Sequence, residues 1–190
     1  MRVITGTAKG RKLKTLADDS VRPTADFVKQ AIFNKIQFDI EGRRVLDLFS
    51  GSGQLGIEAL SRGAAFADFV DSAKTSLDVT RLNVEHCGFT DRAGLFGRDA
   101  LSFLESCKQR YDLIFLDPPY KSDLVKNALL AIGRLDILRE GGIIVTESSS
   151  ADGDRRAALL TVGKYQLKSQ RRLGRKEICI YEHGDISGQL

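Results

Sequence analysis

The chain has 190 residues, 42% of them hydrophobic, which suffices for one sizeable α/β core but hardly for two. No apolar run approaches the roughly 18 residues that cross a bilayer, and the first six residues lack the hydrophobic region of a signal peptide. Three widely spaced cysteines and two histidines support neither a disulfide framework nor a zinc site. We therefore expect a single cytoplasmic domain over residues 1–190, monomeric and without a metal.

The net charge of +4 is unevenly distributed along the chain. Residues 1–17 and 164–176 contain 11 of the 29 basic residues and no acidic one, so the other 18 basic residues are outnumbered by 25 acidic ones. If the two segments meet in space, they form a surface for a polyanion; the alternative is two solvated faces. The side chains expected at such a surface are those of Lys9, Arg11, Lys12, Arg171, Arg172 and Arg175.

The N-terminal residues predict a short basic hairpin. Val3 to Leu16 alternates around Ala8-Lys9-Gly10, and the glycine supplies the flexible position that such a turn needs. We expect this hairpin to be an appendage over residues 1–20, ahead of an α/β core over residues 21–190. Thr24 is the predicted N-cap of a helix whose apolar residues recur at helical spacing.

A glycine-rich turn follows the first apolar strand, which is predicted over Arg44 to Phe49. Gly51-Ser52-Gly53-Gln54-Leu55-Gly56 opens a helix, a pattern that is typical of nucleotide-binding turns, since glycines admit a ligand close to the backbone. The next strand, residues 67–70, ends at Asp71, 20 residues after Gly51. A carboxylate at that distance is well placed to accept hydrogen bonds from a ribose diol.

The residue that distinguishes between nucleotide ligands is Asp47, near the end of the first strand. Its carboxylate stands four residues before Gly51, where it would repel a pyrophosphate and attract an ammonium group. S-adenosylmethionine has an amino acid in the place of the pyrophosphate of NAD. Asp47 therefore favours S-adenosylmethionine over NAD.

Ser72 is the predicted cap of a long third helix, and a short strand over residues 93–96 precedes Asp99 and Ala100. Asp99 again lies at the carboxyl end of a strand, where it would accept the amino group of adenine. Its alternative role is the N-cap of the helix over residues 101–108, and one residue can serve both.

The most informative stretch is Tyr111 to Tyr120, in which a continuous apolar strand runs into Asp117-Pro118-Pro119-Tyr120. Two prolines hold an extended arm, so the Asp117 carboxylate and the Pro118 carbonyl can accept both N–H groups of an exocyclic amine. Tyr120 would stack on the ring that bears this amine. The alternative is that the prolines only end the strand and Tyr120 covers the core.

The rest of the chain continues the alternation of helices and strands. A helix is predicted from Leu124 through Ile132, a strand over residues 143–146, a helix over residues 154–160, and a closing hairpin whose strands are residues 165–172 and 177–181. This order predicts a doubly wound, mostly parallel α/β sheet with an antiparallel edge.

With these motifs the chain resembles class I S-adenosylmethionine-dependent methyltransferases, in which Asp117-Pro118-Pro119-Tyr120 is similar to the amino-methylating signature. It is more closely similar to the bacterial small-subunit ribosomal RNA guanine-N2 methyltransferases. That similarity extends over nearly the whole chain and rests on Gly10-Arg11-Lys12-Leu13, Arg22-Pro23-Thr24, Phe33-Asn34 and residues 47–63. Three residues depart from the family pattern: Ser50 and Gln54, where smaller residues are expected, and Asp71, where glutamate is usual.

The resemblance implies a Rossmann-like sheet of seven strands, S-adenosylmethionine as cofactor, and ribosomal RNA or the assembling small subunit as partner. It further implies that Gly51, Ser52 and Gly53 line the methionine end, with Asp71 at the ribose and Asp99 and Ala100 at the adenine. Asp117, Pro118 and Tyr120 would hold a flipped guanine by its N2 amine. Methylation of another amine, in DNA adenine or a protein, and a non-catalytic RNA-binding module remain the alternatives.

Overall fold

The structure is a computed structural model and describes residues 1–16, 23–118, 123–149 and 160–184. Its helices are α1 Pro23–Lys35, α2 Gln54–Ser61, α3 Lys74–Cys87, α4 Ala100–Ser106 and α5 Leu124–Arg134, with a 3-10 turn at Thr90–Arg92. Its strands are β1 Arg44–Asp47, β2 Phe66–Asp71, β3 Ala93–Gly97, β4 Tyr111–Leu116, β5 Leu138–Ser149, β6 Thr161–Val162, β7 Tyr165–Leu173 and β8 Lys176–His183. None of the helices in these residues has the length and apolar character to cross a membrane.

All eight strands belong to one sheet, in the order β3-β2-β1-β4-β5-β8-β7-β6. The first five strands in this order are parallel, and β8, β7 and β6 add an antiparallel edge. The doubly wound sheet with an antiparallel edge is therefore confirmed. The described sheet has one strand more than the predicted seven, because the two-residue β6 pairs with β7.

The sheet is buried on both faces, which explains why its central strands are continuous apolar runs. Successive residues of β4 alternate between two core clusters: Leu113 and Phe115 pack with α1, α2 and α3, whereas Ile114 and Leu116 pack with α4 and α5. We call these the α1 face and the α5 face. In parallel sheets of this kind ligands bind beyond the carboxyl ends of the strands, and we call this edge the carboxyl edge.

The three predicted helix caps had different outcomes. The cap at Thr24 is wrong, because α1 already begins at Pro23. The cap at Ser72 is wrong, because α3 begins at Lys74 and the Asp71 carboxylate accepts a hydrogen bond from Ala73 N instead. The cap at Asp99 is confirmed, since its carboxylate accepts from Ser102 N at 3.0 Å. The helix predicted over residues 154–160 lies outside the described residues except for Leu160.

The N-terminal residues fold as a narrow hairpin, as predicted, with one antiparallel bridge between Arg2 and Lys12. The hairpin packs against α1 and α2 through Glu58, a fully buried carboxylate that accepts from the backbone N–H groups of Ile4 and Thr5 at 2.7 and 3.0 Å. The buried Lys29 ammonium lies 3.6 Å from the same carboxylate and donates to Arg2 O. Because amides of the hairpin form the hydrogen bonds that the buried Glu58 carboxylate requires, the hairpin stabilises the part of the core that it covers.

Candidate active site

Three acidic side chains lie on neighbouring strands at the carboxyl edge, all on the α1 face. Asp47 ends β1 beside Phe115 of β4, and Asp117 lies two residues beyond Phe115. Leu116 pairs with Thr146, which brings the next residue of each strand, Asp117 and Glu147, level with each other. Neighbouring strands are roughly 4.8 Å apart, so these carboxyl groups form a short row.

Asp47 is held in this row as a buried carboxyl group. Only 1% of the residue is exposed, and its carboxylate accepts from Gly56 N at 3.0 Å, in the first turn of α2. Burial raises the pKa of Asp47 to about 7; the Gly56 hydrogen bond opposes this shift, while the charges of Asp117 and Asp71 add to it. A cationic ligand group placed here would relieve the repulsion, and an anionic one would increase it.

The glycine turn is held from behind by α3. Thr80 donates to Gly51 O, and the Asn83 amide donates to Ser52 O, both at 2.9 Å. Gly53 has a φ of +77°, and a Cβ there would lie 2.8 Å from Thr80, so both backbone conformation and space require glycine. The three residues predicted for the methionine end, Gly51, Ser52 and Gly53, therefore form one rigid turn.

Two polar atoms in this turn are buried without a hydrogen-bond partner in the structure. They are Ser50 Oγ and Gln54 Oε1, at two of the positions where the sequence departs from the family pattern. Buried polar groups are normally paired, so these two atoms provide donor and acceptor capacity for a ligand or a water molecule at the turn.

Both carboxylates predicted for the nucleoside, those of Asp71 and Asp99, make structural contacts. The Asp71 carboxylate accepts from Gly51 N at 2.9 Å through one oxygen and from Ala73 N through the other. Each oxygen keeps a second lone pair, which leaves acceptor capacity for a hydroxyl group. Asp99 is exposed at the start of α4 and Ala100 is buried beside it.

The predicted amine-binding motif is described only in part. Asp117 is half-buried at the end of β4 and Pro118 is buried directly after it. Tyr120, with its predicted stacking role, lies outside the described residues. Because β4 ends at Leu116, Asp117 lies at the carboxyl edge, as predicted, whereas its contact with an amine stays a prediction.

Two ionisable residues of this edge were missed by the sequence interpretation. Glu147 is 7% exposed near the end of β5, and its carboxylate forms an ion pair with Lys176 at the start of β8. Burial, followed by the charge of Asp117, raises the pKa of Glu147 above its ordinary value. The Lys176 ammonium, which contacts the carboxylate directly, favours its charged form. The sequence contained a signal for Glu147, because it directly follows the predicted strand 143–146, as Asp117 follows the apolar residues 113–116.

The two basic segments lie on different parts of the described fold. The turn between β7 and β8 lies at the carboxyl edge, since Lys176 pairs with Ser149 at the end of β5. Arg171, Arg172 and Arg175 of this turn are exposed, and only Arg172 has a described ion pair, with Glu177 at 3.6 Å. This turn therefore places positive charge next to the acidic row.

The N-terminal hairpin turn lies at the opposite edge. Thr7 N donates to Ser61 O at the end of α2, and Ala65 just beyond bonds to Arg43, which precedes β1. The Arg11 guanidinium donates to His86 O in the last turn of α3. Lys9 in the turn therefore lies toward the amino edge. The returning strand leads through Arg11 and Lys12 to Lys14, which bonds to Asn83, the residue that also donates to Ser52 O in the glycine turn. The expectation that Lys9, Arg11 and Lys12 contact RNA beside the pocket stays a prediction.

The strand order, with a glycine turn after β1 and an acid after β4, defines a class I methyltransferase fold. The solved structure of yhhF from Escherichia coli, provisionally titled a methyltransferase, superposes with a TM-score of 0.84 at 29% identity, covering 96% of this chain and 97% of that one.

A family model described as "Conserved hypothetical protein 95" matches residues 1–182. YlbH of Bacillus subtilis (strain 168), provisionally named an rRNA methyltransferase, is 41% identical over 186 residues, 96% of this chain and 98% of YlbH. Ribosomal RNA small subunit methyltransferase D of Haemophilus influenzae is 30% identical over 187 residues, 96% of this chain and 94% of the relative. The chain belongs to this family of ribosomal RNA small subunit methyltransferase D proteins.

Proposed function

We propose that this protein transfers a methyl group from S-adenosylmethionine to the exocyclic N2 amine of a guanine in small-subunit ribosomal RNA. The observation that carries the proposal is the position of Asp117, which shares one sheet face and one edge with Asp47 and the glycine turn. An acceptor for the substrate amine thus lies beside the proposed cofactor site. The names of the relatives YlbH and methyltransferase D support ribosomal RNA as the substrate.

The residues around the glycine turn fit S-adenosylmethionine. Asp47 would hold the ammonium group, the turn Gly51–Gly53 would approach the methionine backbone, and Asp71 would accept from the ribose. Asp99 and Ala100 would contact the adenine. When bound, S-adenosylmethionine supplies a methyl group on a positively charged sulfur. The unpaired Ser50 Oγ and Gln54 Oε1 are consistent with a polar ligand at this turn.

The chemical problem is that the N2 lone pair of guanine is delocalised into the ring. Asp117 and the Pro118 carbonyl would accept the two N–H bonds of N2, which concentrates the lone pair on nitrogen and orients it. N2 would then take the methyl group that bound S-adenosylmethionine supplies, with the carbon–sulfur bond breaking as the carbon–nitrogen bond forms, and N2 would release one proton. The products are N2-methylguanine, S-adenosylhomocysteine and a proton, and no covalent enzyme intermediate is needed.

The β7–β8 turn is the part of the described surface best placed to receive RNA. Arg171, Arg172 and Arg175 are exposed at the edge where the target base must enter. Phosphate contacts contribute affinity without reading sequence, so this turn would position the RNA backbone while the acidic row receives the base. The N-terminal Lys9, Arg11 and Lys12 would contact RNA that extends along the hairpin, which runs from the amino edge toward the glycine turn.

The test is mass spectrometry of nucleosides from small-subunit RNA of a strain that lacks this protein, followed by incubation of that RNA with the purified protein and S-adenosylmethionine. We expect N2-methylguanosine to be absent at one site in the deletion strain and restored by the protein. Appearance of N6-methyladenosine instead, or no transfer to any small-subunit RNA or particle, would refute the guanine assignment.

A further inference from the structure

Glu147 is a buried carboxyl group at the proposed substrate site. It belongs neither to the Asp117–Tyr120 motif nor to the residues proposed to bind S-adenosylmethionine. It lies level with Asp117 on the adjacent strand and its side chain shares the α1 face. Apolar residues precede it on the same face, Ile143 and Val145, and both pack in the core. A buried carboxyl group at this point destabilises the fold unless it is paired, so its position calls for a specific interaction.

The surroundings of Glu147 hold its side chain in place. Lys176 pairs with it from β8, the strand next to β5, and this ion pair lies on the side away from Asp117. Lys176 is itself about one quarter exposed, whereas the Glu147 side chain is 8% exposed. The ammonium therefore anchors one carboxylate oxygen, Oε1, and Oε2 adds acceptor capacity beside the anchored oxygen.

The two carboxyl groups match one edge of guanine better than the corresponding edge of adenine. Guanine presents two adjacent donors there, N1–H and the N2 amine, whereas adenine presents an acceptor at N1. With guanine bound, a second carboxylate beside the amine acceptor would accept a hydrogen bond from N1–H. With adenine bound, the same carboxylate would face the lone pair of N1, which repels it. A site built to bond an N–H group rejects the analogue that lacks it.

We propose that Glu147, anchored by Lys176, accepts the N1–H of the target guanine while Asp117 accepts its N2 amine, so that Glu147 determines specificity for guanine. This inference rests on the proposed guanine-N2 transfer and names the residue that selects its base. Asp117 activates the reacting nitrogen; Glu147 positions the ring and excludes bases without a donor at N1.

The decisive experiment uses the base 2-aminopurine, which keeps the 2-amine but has an acceptor at N1. Once the methylated guanine has been located, RNA carrying guanine or 2-aminopurine at that position is prepared by ligation and kcat/KM is measured for both. The parent protein should prefer guanine by roughly 10- to 100-fold, the range of one hydrogen bond to a charged group. Glu147→Ala should lose a similar factor on guanine and change less than about threefold on 2-aminopurine, which lacks the partner of Glu147.

Two further variants separate specificity from a structural role. Glu147→Gln keeps an acceptor oxygen without the charge, and should retain more of the guanine preference than Glu147→Ala. Glu182→Gln is the matched control, because Glu182 is paired with Lys168 at 2.6 Å at the other end of β8. We expect it to leave both rates unchanged. If Glu147→Ala fails to fold, judged by its melting transition and by S-adenosylhomocysteine binding, the same comparison is made with Glu147→Gln.

Several results would overturn the inference. One is that Glu147→Ala loses kcat/KM equally on guanine and on 2-aminopurine, and another is that it loses kcat/KM on neither. The third is that the parent protein has the same kcat/KM on the two bases. Failure of the proposed function gives a different result, because the parent protein would then methylate neither RNA while still binding S-adenosylhomocysteine.

Discussion

Asp47→Asn is expected to favour the folded ligand-free protein increasingly as the pH rises to about 7, while weakening its binding of S-adenosylmethionine. An ordinary aspartate ionises near pH 3.8, whereas burial raises the pKa of Asp47 to about 7. Between these values the folded state binds more protons than the unfolded state, so the free energy of unfolding falls as the pH rises. The asparagine keeps an acceptor oxygen for Gly56 N but has no proton to lose, and this pH dependence disappears.

The size of the effect follows from the shift. One pKa unit corresponds to about 1.4 kcal/mol, so the two units between pH 5 and pH 7 give roughly 3 kcal/mol, and the difference is constant above pH 7. For a domain of this size that corresponds to about 6 to 12 °C in the melting temperature. Burying the NH2 group of asparagine adds a cost of about 1 to 3 kcal/mol, but this cost does not depend on pH.

The assay is the difference in melting temperature between Asp47→Asn and the parent protein at pH 5, 6, 7 and 8. We expect the difference to increase in favour of the variant up to pH 7. Asp68→Asn is the control, for which the change in melting temperature should have the opposite sign. The buried Asp68 carboxylate accepts hydrogen bonds from Arg44 and from the Tyr111 hydroxyl, so loss of its charge should destabilise the protein. A constant difference between the Asp47 variant and its parent across this range would refute the reasoning.

Calorimetry of the same variant tests the ligand. Loss of the Asp47 charge should weaken S-adenosylmethionine by roughly 10- to 100-fold, since the proposed contact is a charge-assisted hydrogen bond to its ammonium group. Micromolar binding of NAD by the parent protein, with no binding of S-adenosylmethionine, would reverse the assignment of the turn.

Three other predictions concern the substrate, the hairpin and the RNA surface. Asp117→Ala should lower kcat by roughly 10²- to 10³-fold and leave S-adenosylmethionine affinity within about twofold; near-normal turnover would remove Asp117 from the chemistry. Gly6→Ala should lower the melting temperature, because its Cβ would lie 1.7 Å from Ser61 O; Gly10→Ala, also at positive φ but with no atom within 4 Å, is the milder control in the same scan. Replacing Arg171 and Arg175 with alanine should reduce the salt slope of RNA binding, measured by fluorescence anisotropy, by about 0.7 to 0.9 per lost phosphate contact. A larger effect from replacing Lys9 and Lys12 would place the docking surface on the N-terminal hairpin instead.

Local sequence patterns were sufficient to predict most of the helices and strands and to identify acidic residues that follow strands. The apolar run before Asp117 and the glycines after Asp47 are contiguous patterns, and they predicted a buried strand and a ligand-binding turn without reference to the rest of the chain. Asp99 was predicted as a cap for the same reason, since an N-cap acts on amides within three residues.

Only the tertiary structure decided which of these residues are neighbours. Glu147 joins the site through the register of β4 and β5, and Lys176 joins it through the antiparallel pairing of β8, so neither relation is present in any short stretch of sequence. The two basic segments looked equivalent in composition. The β7–β8 turn lies at the carboxyl edge, whereas the turn of the N-terminal hairpin lies at the amino edge, because α2 runs back across the sheet and Ser61 at its end bonds to Thr7. The path of a helix over a sheet is set by packing between residues distant in sequence.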